Sequence, residues 1–150
     1  MLGQVQWGQL DVLLVDLPPG TGDVQMTLSQ KVNVTGAVIV STPQDIALLD
    51  AKKGIDMFER MNVPLLGFVE NMASFVCDGC GKEHHPFGHG GAKAEAEKQR
   101  IPFLGEIPLD LAIRVASDGG VPMVVSKPSS PQAKAFLDIA DQLIASEVLK

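Results

Sequence analysis

Short apolar runs rich in β-branched residues alternate along this chain with stretches of helical periodicity. Val12 to Val15, Gly36 to Val40 and Leu65 to Val69 each read as a strand buried on both faces. Pro102 to Gly105 predicts a short fourth strand, and Val121 to Val125 a last one. Between them, Val24 to Lys31 suits a short helix. After STPQD, Thr42 is placed to cap a helix with Pro43 at its first position and Asp45 one turn in. Leu48, Ala51, Ile55 and Phe58 then recur at helical spacing, with Ile46 and Leu49 widening the stripe. Asn62 and Pro64 stop that helix. Gly91 to Arg100 reads as a modest polar helix. Pro108 to Ser117 carries Leu109, Ala112 and Val115 on one side and closes at Gly119 and Gly120. Ser130 caps a final helix with Pro131 first and a stripe of Ala133, Phe136, Leu137, Ala140 and Leu143. Strands alternating with helices predict an α/β fold, a parallel sheet flanked by helices on both faces.

Two stretches break this rhythm. The first is DVLLVDLPPGTGD, Asp11 to Asp23. Its apolar run ends on Asp16, Pro18 and Pro19 forbid further ladder pairing, and Gly20 to Gly22 make a bendable loop. Ligands of open α/β sheets lie beyond the carboxyl ends of the strands. A carboxylate there can hold a metal-bound water, with mobile amides beside it to sense a phosphate, which is the logic of a Walker B strand and its switch. A buried strand ending in a Pro-Gly turn with a solvated Asp reads the same residues equally well. The second break runs from Ala73 to Gly91, where periodicity fails. This loop holds both cysteines, all three histidines and five glycines, and a loop of that length with no element of its own is usually functional or disordered.

Composition narrows the function classes. At 150 residues and 45% hydrophobic, the chain has material for one globular domain. A net charge of −6 argues against nucleic acid or an anionic membrane surface as the main partner. No apolar run approaches the roughly 20 residues of a membrane span. The first residues lack the blocks of a signal peptide, so a cytoplasmic location is the expectation. In a reducing compartment, two close cysteines suggest metal or redox chemistry more than a structural disulfide.

Those cysteines, Cys77 and Cys80, form a CxxC knuckle whose two intervening residues let both thiolates face one metal. A pair supplies half of a tetrahedral site. The remainder can come from His84, His85 or His89, or from a second copy of the chain, in which case four thiolates suit a [4Fe–4S] cluster or zinc. Asn71, at the end of the third predicted strand, can donate and accept at once, which suits an adenine edge, or it can simply close its own turn. No GxxxxGK[ST] occurs, and Gly81-Lys82 is followed by Glu83, so these residues include no phosphate cradle with its lysine.

The segments WGQLDVLLVDLPPGTGD, AVIVSTPQDIALLDAKKGIDMF, VPLLGFVENMASFVCDGCG, FGHGGA, IPFLGEIPLDLAIRVASDGGVPMV and SPQAKAF together resemble the Mrp/NBP35 (ApbC) family. These are iron–sulfur cluster carriers and deviant P-loop ATPases related to ParA and MinD. The resemblance implies a partial P-loop NTPase (SIMIBI-like) fold, with residues 1–150 matching the C-terminal portion of the ATPase domain and the CxxC loop at 73–91. It implies Asp16 as the Walker B-type carboxylate near Mg²⁺, and Pro18, Pro19 and Gly20 as the switch. Asn71 and the backbone near Pro108 would line the adenine pocket of ATP. Cys77 and Cys80 would share a [4Fe–4S] cluster across a homodimer that passes it to apo iron–sulfur proteins. Two departures stand out. Ala73 replaces the family's usual serine, and the signature-lysine loop KGGVGK[ST] is not among these residues, which leaves ATPase activity by this chain open. A non-catalytic zinc-binding dimerisation module is the alternative. A ParA-like positioning ATPase fits the CxxC loop poorly.

Overall fold

The computed structural model describes residues 4–18 and 20–146. Its centre is a parallel sheet of three strands in the order β1-β2-β5, formed by Ala37–Ser41, Leu65–Asn71 and Phe103–Ile107. Alternation along the strands divides the core in two. Phe68 and Ile39, paired across β1 and β2, point to one face. There they meet Leu48, Ile55 and Phe58 of α2 (Asp45–Arg60) and Ala92 and Ala96 of α3 (Gly91–Gln99). Val69 points the other way, joining Leu104, Ile107, Ile113 of α4 (Leu111–Asp118) and Phe136, Ile139 and Leu143 of α6 (Pro131–Ala145). Phe68 and Ile55 are fully buried, each stabilising the fold by about 1.5–3 kcal/mol. The start of α3 lies so close to the segment preceding α2 that a Cβ on Gly91 would sit 2.6 Å from the Pro43 carbonyl oxygen.

Several expectations are corrected. Residues 12–15 form no strand among the described residues: Leu14 is 88% exposed, and the run finds no ladder partner in the described sheet. The following Leu17 packs against the core. Residues 121–125 are not a strand either. Pro122 removes a ladder donor and instead caps α5 (Met123–Ser126), which packs against α4 and α6. The cap of α2 is Gln44 rather than Thr42, whose hydroxyl hydrogen-bonds the Gln44 side chain. Ile46 and Leu49 face outward, and Met57 is buried instead. In α6, Leu137 is exposed and Ile139 takes its place against the sheet. Ser130 caps that helix as expected, accepting from the Ala133 amide at 3.1 Å. The 73–91 segment contains a small antiparallel hairpin, β3 (Phe75–Val76) and β4 (Glu83–His84).

Candidate functional site

The cysteine knuckle is the tip of that hairpin. Phe75 pairs with His84 and Val76 with Glu83. The ladder extends one step, with the Cys77 amide donating to the Lys82 carbonyl at 2.9 Å. The turn closes when the Gly81 amide donates to the Cys77 carbonyl at 2.7 Å. Gly81 has φ +70° with open space around it, a conformation that glycine adopts without strain. Both cysteines are free thiols, Cys77 half-buried and Cys80 exposed. The amide of Gly79, then the amide and side chain of Cys80, hydrogen-bond the Cys77 sulfur and lower its pKa from the ordinary 9.0. The knuckle therefore favours the thiolate that metal binding requires.

The histidines are not gathered with the cysteines among the described residues. Among the described residues, no group of three converging ligand side chains includes either cysteine. His84 lies on the ladder, exposed. His85 Nδ1 lies 2.8 Å from the Ala73 carbonyl oxygen, and its ring rests 4.4 Å from that of His89. Neither ring is brought to the thiols as part of a preformed set.

The residues expected around a nucleotide are scattered along the carboxyl ends of the strands and the preceding loop. Asp16 and Pro18 are exposed, and Gly20 has φ +94°. Pro19 lies outside the described residues. The loop is held by a residue that sequence reasoning missed: Gln25 of α1 (Asp23–Lys31) is 3% exposed, and its Nε2 donates to the carbonyls of Pro18 at 2.7 Å and Gly20 at 2.8 Å. A glutamine one turn into a helix after a Pro-Gly loop is the only sequence signal for this anchor. Asn71 ends β2, and its Oδ1 accepts from the Met72 amide at 2.9 Å, so its oxygen is engaged in its own turn. Pro108 follows β5, half-buried, and the next amide, Leu109, donates to Ser74 at 2.7 Å. That bond ties the segment after β5 to the root of the cysteine hairpin. No GxxxxGK[ST] loop occurs in the sequence beside them.

Glu70 was also missed. It is fully buried at the end of β2, and its two oxygens accept from the amides of Gly90 at 2.9 Å and Ala92 at 2.7 Å. The sequence shows only a charge closing an apolar run.

The model of a family described as NUBPL iron-transfer P-loop NTPase, within ParA, matches residues 1–144. The chain belongs to this family. Among NUBPL-family relatives, it is 55% identical to the mouse iron-sulfur cluster transfer protein NUBPL over 144 residues, 96% of this chain and 45% of that protein. It is 51% identical to the iron-sulfur cluster carrier protein of Salmonella typhimurium, covering 97% of this chain and 39% of the carrier. The chain thus spans less than half the length of these curated NUBPL-family relatives. A nucleotide-binding protein from Archaeoglobus fulgidus, solved in complex with ADP, superposes with a TM-score of 0.74 at 44% identity, covering 90% of this chain and 54% of that one. The cell-division ATPase MinD of Pyrococcus furiosus superposes at 0.55 with 29% identity, covering 73% and 42%. The parallel sheet and its flanking helices are therefore those of a P-loop NTPase.

Proposed function

We propose that this chain is the cluster-holding part of an iron–sulfur carrier. Two copies meet at their cysteine hairpins and hold one [4Fe–4S] cluster as cargo on four thiolates, Cys77 and Cys80 from each. The cluster is then passed by ligand exchange to apo iron–sulfur proteins. The observation that carries this reading is the hairpin tip itself. It presents the chain's two cysteines outward, with Cys77 biased towards thiolate, and no third ligand converges on them among the described residues. Relatives named as cluster transfer and carrier proteins support the same role. In the whole protein, ATP binding and hydrolysis would accompany the handover. Asp16 would then face Mg²⁺, Pro18 to Gly20 would act as switch, and Asn71 with the Pro108 backbone would meet adenine. A cytoplasmic location suits this chemistry, since a reducing compartment keeps both thiols available. No helix among the described residues is long and apolar enough to cross a membrane.

The test is transfer. Anaerobically reconstituted protein mixed with an apo [4Fe–4S] acceptor enzyme should restore the acceptor's activity, and the Cys77→Ser and Cys80→Ser proteins should not. Protein that takes up zinc but forms no cluster on reconstitution would instead make the hairpin a zinc-binding dimerisation module.

A further inference from the structure

We propose that Glu70, His89 and Glu106 form a second metal site, distinct from the cysteine hairpin, for a divalent first-row transition-metal ion. Glu70 and Glu106 occupy paired positions on the adjacent strands β2 and β5, so their side chains leave the same face of the sheet. His89 approaches from the turn before α3, and one ligand atom from each of the three residues lies within 4.8 Å of the others.

The charge arrangement asks for a cation. Two carboxylates side by side at the sheet edge, one of them fully buried, repel each other in a medium less polar than water. The amides of Gly90 and Ala92 satisfy part of Glu70's charge, yet each carboxylate oxygen keeps a further lone pair. No lysine or arginine ion-pairs with either glutamate among the described residues; the three ion pairs there are Lys52–Glu95, Lys53–Asp50 and Arg114–Asp118. Two carboxylates and one imidazole form an oxygen-rich mixed set suited to Mn²⁺, Fe²⁺, Co²⁺ or Zn²⁺ more than to a thiolate-seeking ion. Glu70 is buried and Glu106 partly so, while His89 is exposed, leaving the solvent side for water ligands.

The geometry also connects this site to the hairpin. The His89 ring rests against His85, which is tied to the Ala73 carbonyl at the root of β3. A metal on His89 would therefore fix the 85–90 turn that joins β4 to α3.

Co²⁺ titration of the chain carrying both Cys77→Ser and Cys80→Ser tests this, because the thiolates are then absent. The expected result is one equivalent bound by equilibrium dialysis, with weak visible bands and no thiolate charge-transfer absorption. His89→Ala and Glu106→Gln, each checked by circular dichroism for an intact fold, should each weaken binding about tenfold or more. Both substitutions spare Glu70, which holds the start of α3. Absence of Co²⁺ binding above the dialysis background, or affinity unchanged in either variant, would overturn the proposal.

Discussion

Glu70 reaches from the end of β2 to accept the Gly90 amide at 2.9 Å, so a buried carboxylate fastens the segment that follows the cysteine hairpin. Its second oxygen takes the Ala92 amide, inside the first turn of α3, where the helix dipole favours negative charge. Glu70→Gln leaves a single acceptor for two amides. It should cost about 1–3 kcal/mol, the price of one unsatisfied buried donor. Urea unfolding should show a lower midpoint with an unchanged slope; an unchanged midpoint would mean the two bonds carry no net stability.

The hairpin amides that lower the Cys77 pKa predict a pH dependence. A lowered folded pKa means the thiolate persists below the ordinary 9.0 and is lost as pH falls through the depressed value. Alkylation of Cys77 by iodoacetamide, followed by peptide mass spectrometry, should reach half its maximal rate below pH 9.0. Cys80→Ala removes one of the hydrogen bonds and should move that midpoint upward. A midpoint at or above 9.0 in the unsubstituted chain would contradict the geometry.

Much of this was legible in sequence, and the misses have physical causes. Periodicity located α2, α6 and the three paired strands because their stripes are buried by neighbours within the chain. It failed at residues 12–15 because an apolar run becomes a parallel strand only when it pairs with another, and this run pairs with neither edge of the described sheet. It failed at 121–125 because Pro122 outweighed the β-branched residues around it. The CxxC spacing pointed directly to two thiols on one turn, since cysteines three apart need no more than that. Glu70, Gln25 and Glu106 stayed hidden because their partners lie across the fold or on backbone amides, which leave no local pattern.

The exposed apolar surface predicts association. Val40 is 59% exposed on the sheet face opposite α2, and Leu14 is 88% exposed nearby in sequence to the loop. With β1 at the sheet edge, unpaired strand groups add a template for pairing. Light scattering of the metal-free chain should show mass rising with concentration, and Val40→Lys should reduce it. A monodisperse monomer at high concentration would contradict this.

ATP hydrolysis should be absent from this chain alone. The β- and γ-phosphates of P-loop NTPases are held by a loop and lysine that the 150 residues do not contain. A phosphate-release assay should read background with Mg²⁺ and ATP. Turnover abolished by Asp16→Ala would contradict it.

Four thiolates from two chains should hold one cluster. Native mass spectrometry after anaerobic iron–sulfur reconstitution measures this directly. The expected species is a dimer carrying one cluster of four irons and four sulfides, absent in Cys77→Ser and Cys80→Ser and retained in His84→Ala, His85→Ala and His89→Ala. A cluster-loaded monomer, or loss of the cluster on any histidine substitution, would contradict this reading.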